Sequence, residues 1–154
     1  MSRKEEMVKR IRSIVTGKGV RDEKAKQLAE VVRSLGSYRW TGVYDVGNEM
    51  VFIIAYSGPG LPAYPTFPVT QGLTGAAIRE KATVLVGDVQ TDQRYLTAFG
   101  STLSEIIVPI LNPQSGRVIG TIDVESERAN AFSPSDQQLL EECGQAALPL
   151  WIPG

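Results

Sequence analysis

Two strand–turn–strand segments place the strongest constraint on how this chain folds. Residues 40–56 contain the run WTGVY, a Gly-Asn turn pair and the run MVFIIAY. Residues 106–124 contain IIVPIL, the polar turn NPQSGR and VIGTIDV. Runs of β-branched and aromatic residues around a short turn are typical of β-hairpins. With a further predicted strand at 83–86, they indicate an antiparallel sheet.

Helical patterns precede and follow the predicted sheet. Residues 1–36 contain two apolar stripes at helical spacing, and Gly17 and Gly19 mark the break between them. The sequence SPSD opens a last helix, with Ser133 as its N-cap and Asp136 near the positive end of the helix dipole. The apolar stripes of these helices are predicted to pack against the sheet or against a second copy of the chain.

This order of elements predicts an α+β fold with a central antiparallel sheet. The N- and C-terminal helices are expected on one face, and the long connections on the other. We interpret residues 1–154 as a single domain, with N-terminal helices at 1–36 and a core at 38–150. The long polar segment 87–105 is interpreted as a loop, and a loop of that length in a compact domain is usually functional.

The residue types that are absent exclude several classes of chemistry. The chain has no histidine and one cysteine, so Ser–His pairs, Cys–His pairs, histidine-ligated metals and internal disulfides are all excluded. A formal net charge of −1 gives no global attraction to nucleic acid or to anionic lipid. No apolar run approaches the ~20 residues that a membrane span needs, and no signal segment is visible. We predict a cytoplasmic protein without nucleic-acid or membrane partners.

The segment TFPVTQGLTGAA, residues 66–77, predicts the entrance of a small-molecule pocket. An extended run leads to Gly72 and Gly75 and then to residues that favour a short helix. Glycines before a helix allow bare backbone N–H groups to approach a ligand closely.

Three carboxylates are predicted to meet at one end of the second hairpin. Side chains alternate along a strand, so Thr121, Asp123 and Glu125 share the face that points away from the helices. An antiparallel register places Glu105 across from Asp123 or Glu125, with the opposed side chains ~5 Å apart. Two charges at that distance repel by ~3 kcal/mol at an effective dielectric constant of ~20. A covered site therefore needs a ligand ammonium, a divalent metal or a proton; alternatively, the charges are hydrated at an open strand end.

Several motifs in order resemble the GAF domain family: WTGVY, PVTQGLTGAA, VGDV, SEIIVPI and VIGTIDVES followed by FSPSD. More narrowly, they are similar to the branch that reduces free methionine-R-sulfoxide. The resemblance runs from Trp40 to the last helix, and it implies a GAF fold with a ligand pocket under loops. In that branch, the positions matching Glu105, Asp123 and Glu125 hold the amino group of the substrate, and the position of Trp40 lines the pocket.

The sequence departs from this branch at the cysteines that its chemistry requires. The matching positions carry Thr74, Tyr64 and, in the long loop, a residue at or beside Ala98. A threonine hydroxyl is too weakly acidic to replace a thiolate, and no base is present to activate it. Cys143 lies on the apolar stripe of the last helix and has no partner cysteine. Reductase activity is therefore not expected, and no catalytic residue is assigned.

The leading hypothesis is a non-catalytic GAF domain of the sensor type that binds an amine-bearing metabolite such as an amino acid. Its predicted ligand-binding residues are Glu105, Asp123, Glu125, Trp40, Gly72, Thr74 and Gly75. No metal and no cofactor are predicted, and a homodimer through the terminal helices follows from the resemblance. The alternatives are an enzyme that uses the same pocket without cysteine, and an interaction domain whose acids face solvent.

Overall fold

The computed structural model describes residues 1–154. The helices are α1 (Arg3–Thr16), α2 (Arg21–Ser34), α3 (Gly72–Glu80) and α4 (Pro134–Ala146). The strands are β1 (Trp40–Val46), β2 (Met50–Ser57), β3 (Thr66–Pro68), β4 (Val84–Val86), β5 (Ser104–Leu111) and β6 (Val118–Ser126). Single 3₁₀ turns lie at Val89–Thr91 and Leu148–Leu150. None of the helices combines the length and the apolar character needed to cross a membrane.

The strands form one antiparallel sheet in the order β3-β2-β1-β6-β5-β4. The two predicted hairpins are β1–β2 and β5–β6, and the β1–β6 pairing joins them at the centre of the sheet. The strand β3 lies in the segment TFPVTQGLTGAA, where the sequence indicates an extended run before Gly72 but no pairing with the sheet. It forms where Phe67 pairs with Val51, and both side chains are buried.

Local capping explains where the terminal helices begin. The Ser2 side chain accepts a hydrogen bond from the Glu5 N–H at the start of α1. At the start of α4, the Ser133 side chain accepts from the Asp136 N–H, and the Asp136 carboxylate accepts from the Ser133 N–H. This reciprocal capping box satisfies two backbone donors that the helix itself leaves free.

The larger hydrophobic core lies between one face of the sheet and the helices α1, α2 and α4. Ile106 of β5 and Ile122 and Val124 of β6 are buried in it. Gly144 lets α4 approach the sheet closely, because a Cβ at that position would lie 3.1 Å from Val108 Cγ1. Burial of such side chains contributes ~1.5–3 kcal/mol each.

The opposite face of the sheet carries an aromatic cluster and the loops. Trp40, Tyr44, Val51 and Phe67 form its buried centre. Gly42 lies between the two rings on β1, where a Cβ would overlap Trp40 and lie 2.8 Å from Tyr44 Cε1. The predicted fold is therefore confirmed: a central antiparallel sheet has helices on one face and loop-covered space on the other.

Candidate functional site

The three predicted carboxylates converge on the loop face of the sheet. Glu105 pairs directly with Glu125, and Asp123 pairs with Ile107. One oxygen of each carboxylate lies within 4.8 Å of the others. The exposed fractions are 4% for Glu105, 6% for Asp123 and 0% for Glu125, so these acids are not hydrated at an open strand end. We call these three residues the acid cluster.

Few hydrogen-bond donors reach the acid cluster. The Thr102 hydroxyl donates to Glu125 Oε1 over 2.7 Å. Asp123 Oδ1 and Glu125 Oε2 are buried without any partner. The side chain of Arg39, just before β1, contacts Glu127 instead, over 3.5 Å. Buried acceptors without donors are uncommon in folded proteins, and each one needs a physical explanation.

Burial and mutual repulsion favour the protonated form of these acids. Burial, reinforced by the charges of its two neighbours, raises the pKa of Glu105 well above its usual range. Burial raises the pKa of Asp123 to about 6. Burial and the charge of Asp123 raise the pKa of Glu125 to about 8, although the Thr102 hydroxyl opposes the shift. Two charges about 5 Å apart repel by ~3 kcal/mol at an effective dielectric constant of ~20.

A small cavity of about 30 Å³ is lined by Glu105 and Asp123, whereas Glu125 is fully buried beside them and does not line it. Its walls are Tyr44, Pro62, Tyr64, Phe67, Gly72, Leu73, Thr74, Leu96, Ala98 and Ile107. A space of this size holds about one or two water molecules, or a group of the size of an ammonium. A larger ligand therefore requires the covering loops to move. Larger grooves exist, such as one of about 450 Å³ between α4 and the end of β5, but none contains converging buried acids.

Two loops close the cavity: the β2–β3 loop, residues 58–65, and the lid loop, residues 87–103. The Ala63 N–H donates to the Ala98 carbonyl over 3.2 Å and joins the two loops. Phe99 of the lid loop packs against Trp40 with ring centroids 5.3 Å apart. The Arg39 guanidinium lies 5.5 Å from the centre of the Phe99 ring. The lid loop is thus held by aromatic packing, by its own turns and by hydrogen bonds to neighbouring segments, such as that from the Leu103 N–H to the Ser126 carbonyl over 2.8 Å.

Trp40 supports the loops and does not line the cavity. It pairs with Glu125 across β1 and β6, and its side chain is fully buried. Its indole N–H donates to the Gly60 carbonyl over 2.9 Å, so this donor is not free for a ligand. Tyr44, two residues further along β1, lines the cavity in its place. The structure thus places Trp40 beside Glu125 and the β2–β3 loop and not in the cavity wall, and its contact with a ligand stays a prediction.

The start of α3 contributes two of the predicted residues to the cavity wall. Gly72 and Thr74 line it, and the N–H groups of Gly72, Leu73 and Thr74 have no hydrogen-bond acceptor within the chain. The Gly75 N–H donates to the Gln71 carbonyl over 2.9 Å and is not available to a ligand. Gly75 instead allows close packing, since a Cβ there would lie 2.6 Å from the Thr70 carbonyl carbon.

Sequence reasoning missed two residues that act on the acid cluster. Tyr44 carried a usable signal, because the alternation Trp40, Gly42, Tyr44 along β1 places it on the same face as the acids. Thr102 carried none, since it lies in the lid loop and only the folded chain places it beside Glu125.

Two positions that match cysteines of the reductase branch, Tyr64 and Thr74, line the cavity, and so does Ala98, at or beside the third position. None of these residues offers a thiol. Cys143 is fully buried in the core on the other face of the sheet. Burial raises the pKa of its thiol to about 12, so the reactive thiolate is strongly disfavoured.

Comparison with known proteins gives relatives over most of the chain. Residues 21–147 match the model of the family described as GAF domain. The chain is 24% identical over 139 residues to GAF domain-containing protein A of Dictyostelium discoideum, covering 90% of this chain and 85% of that protein. It is 31% identical over 107 residues to the free methionine-R-sulfoxide reductase of Saccharomyces cerevisiae, covering 67% of this chain and 57% of that protein.

A solved structure also matches over most of the chain. The free methionine-R-sulfoxide reductase of Neisseria meningitidis, solved in complex with its substrate, matches with a TM-score of 0.86 and 25% identity. The match covers 97% of this chain and 88% of that one.

Proposed function

Because the chain belongs to the GAF domain family, a small-molecule-binding fold, we propose that it binds a small amine-bearing metabolite without reducing it. One observation carries the proposal. The acid cluster is buried and largely without donors, while the cavity lined by Glu105 and Asp123 has Tyr64, Thr74 and Ala98 at or beside the positions where the reductase branch has cysteines.

A ligand ammonium supplies what the acid cluster lacks. It brings one positive charge and three N–H donors, and Asp123 Oδ1 and Glu125 Oε2 are the acceptors without partners. Charge-assisted hydrogen bonds of this kind are roughly twice as strong as neutral ones. The residues Gly72, Leu73 and Thr74 lie in the same cavity wall, and their free N–H groups would donate to a ligand carboxylate or another acceptor. This combination favours an amino acid or a derivative.

The absence of a nearby thiol argues against reduction of a sulfoxide. That reaction needs a thiolate to attack sulfur and a second thiol to resolve the intermediate as a disulfide. Cys143 is on the other side of the sheet and cannot reach the cavity. Incubation of the chain with free methionine-R-sulfoxide and dithiothreitol should therefore give no methionine above the rate without protein. Thiol-dependent turnover would contradict the proposal.

A second candidate function is a cysteine-independent reaction in the same cavity. It is favoured by the pKa of Glu125, raised to about 8, because such a group can act as a general acid or base near neutral pH. Mass spectrometry of any bound compound after prolonged incubation separates the two functions. A binding domain returns the compound unchanged, and an enzyme does not.

The binding proposal is tested by a thermal-shift screen of amino acids, amines and cyclic nucleotides. A ligand at about 100 times its dissociation constant adds ~2.7 kcal/mol of apparent stability. The shift should disappear in Glu125→Gln and persist in Glu49→Gln, where the carboxylate is exposed in the β1–β2 turn. A hit that is equally strong in Glu125→Gln would exclude an ammonium bound by the acid cluster.

We also propose that the chain forms a homodimer through α1 and α4, and that this dimer passes the binding signal to a partner. These helices lie on the face of the sheet opposite the site. Light scattering on the purified chain tests it. A monomer at all concentrations would exclude the dimer.

A further inference from the structure

The acid cluster has more negative charge than its surroundings can balance. Three carboxylates have oxygens within 4.8 Å of one another, and the short hydrogen bond that reaches them comes from the neutral hydroxyl of Thr102. The cavity wall contains no lysine and no arginine. Arg39 directs its guanidinium toward Glu127 and the Phe99 ring. Because water is nearly excluded, three ionised carboxylates are not stable at this place.

We propose that the empty site holds protons among its three carboxyl groups and that a cationic ligand binds by displacing them to solvent. The proposal rests on the proposed function, because it describes how that site is regulated. No bond to carbon is made or broken: R–NH₃⁺ enters with its own protons, and the carboxylic protons leave to the buffer. Occupancy would then depend on pH as well as on ligand concentration.

The neighbouring titratable groups do not account for proton exchange near neutral pH. Tyr44 on β1 and Tyr95 in the lid loop face the acid cluster, and burial raises the pKa of both phenols above their usual range. The charge of Arg39 acts on Glu125, and its guanidinium contacts Glu127 and the Phe99 ring. The strand β6 contributes only Asp123 and Glu125, and β5 only Glu105. Proton exchange between pH 6 and 8.5 therefore belongs to the acid cluster.

The direction of the pH effect follows from the raised pKa values. The folded chain holds protons that the unfolded chain releases, so folding is favoured most at pH values below the ordinary carboxyl pKa. That stability is lost as pH rises through about 6 for Asp123 and about 8 for Glu125. At pH 7, the slope of stability against pH should correspond to about one to two protons taken up on folding.

Urea unfolding between pH 6 and 8.5, with and without methylammonium chloride, tests the proposal. Sodium chloride at equal ionic strength is the salt control. The urea midpoint of the wild type should fall as pH rises, and methylammonium should restore part of the loss at pH 8.5 while having less effect at pH 6. Glu125→Gln should flatten the fall, and the exposed control Glu49→Gln should not.

Other outcomes of this experiment would overturn either the stored protons or their exchange for the amine. A midpoint that is constant or rises with pH excludes stored protons, even where amines bind. A falling midpoint that methylammonium restores equally at both pH values, or not at all, excludes the exchange. Failure of the amine-binding function is a separate result, since it requires that no amine in the thermal-shift screen stabilises the chain at any pH.

Discussion

The site depends on which individual oxygen atoms have a hydrogen-bond donor. Glu125 Oε1 accepts from Thr102, whereas Glu125 Oε2 and Asp123 Oδ1 accept from nothing. A buried acceptor without a donor costs about 1–3 kcal/mol. The chain carries this cost next to a cavity, where an incoming ligand can supply the missing donors. We attribute the unsatisfied atoms to binding for this reason.

Thr102→Val should therefore destabilise the chain by about 1–3 kcal/mol, because it removes the 2.7 Å hydrogen bond to the buried Glu125 carboxylate. The hydroxyl lowers the pKa of Glu125, so its loss should raise that pKa and make the destabilisation larger at pH 8.5 than at pH 5. Urea unfolding at the two pH values measures both effects.

Thr121→Val is the matched control for this experiment. Its hydroxyl oxygen is also buried, but it has no hydrogen-bond partner to lose. The variant should be neutral or slightly stabilising at both pH values. Equal losses in the two variants would show that the Thr102 hydrogen bond does not stabilise Glu125.

Some residues of the site can be predicted from the sequence, and others cannot. Alternation along β6 correctly placed Asp123 and Glu125 on one face, and the turn restricted Glu105 to two partners, of which Glu125 is the observed one. The free N–H groups at the start of α3 agree with the pattern of glycines before a helix, whereas Thr102 depends on a loop position, which no local pattern in the sequence determines.

Among the elements, β1 is the one that sets the shape of the site. Trp40, Gly42 and Tyr44 alternate on its loop face, and the two rings lie over the glycine. Trp40 holds the β2–β3 loop through its N–H, while Tyr44 lines the cavity. The strand thus connects the covering loop with the cavity wall.

Gly42→Ala should destabilise the chain by about 1–3 kcal/mol, because the added methyl group would overlap the Trp40 ring. Thermal unfolding measures the loss. Gly100→Ala is the control, since a Cβ at Gly100 would have no neighbour within 4 Å. A Gly42→Ala variant as stable as Gly100→Ala would contradict the packing described for β1.

The lid loop should open when its aromatic contact is removed. Phe99→Ala deletes the ring that packs against Trp40 and under Arg39, so residues 87–103 should exchange their amide hydrogens faster. Hydrogen exchange with mass spectrometry measures this by segment. The strands β1 and β6 should be unchanged, and faster exchange over the whole sheet would indicate general destabilisation instead.

The elements themselves were largely predictable. The hairpins β1–β2 and β5–β6 and the Ser133 capping box follow from local patterns of alternation and capping. The strand β3 and the closed lid loop do not, because their residues take their positions from tertiary contacts of Phe67 and Phe99.

At the scale of the whole molecule, the sheet separates two environments. One face packs against α1, α2 and α4 and contains the lone thiol, Cys143. The other face contains the acid cluster, the aromatic cluster and the two covering loops. This separation supports a domain that holds a ligand on one side without a thiol to react with it.

The most direct test compares amines with their N-acetylated counterparts, such as L-methionine with N-acetyl-L-methionine, across the thermal-shift screen. Acetylation removes the positive charge and keeps the rest of the compound. The account predicts that at least one amine stabilises the wild-type chain, that its acetylated counterpart does not, and that Glu125→Gln abolishes the difference. Equal stabilisation by an amine and its acetylated form, or no stabilisation by any amine, would contradict the assignment of the acid cluster as an ammonium site.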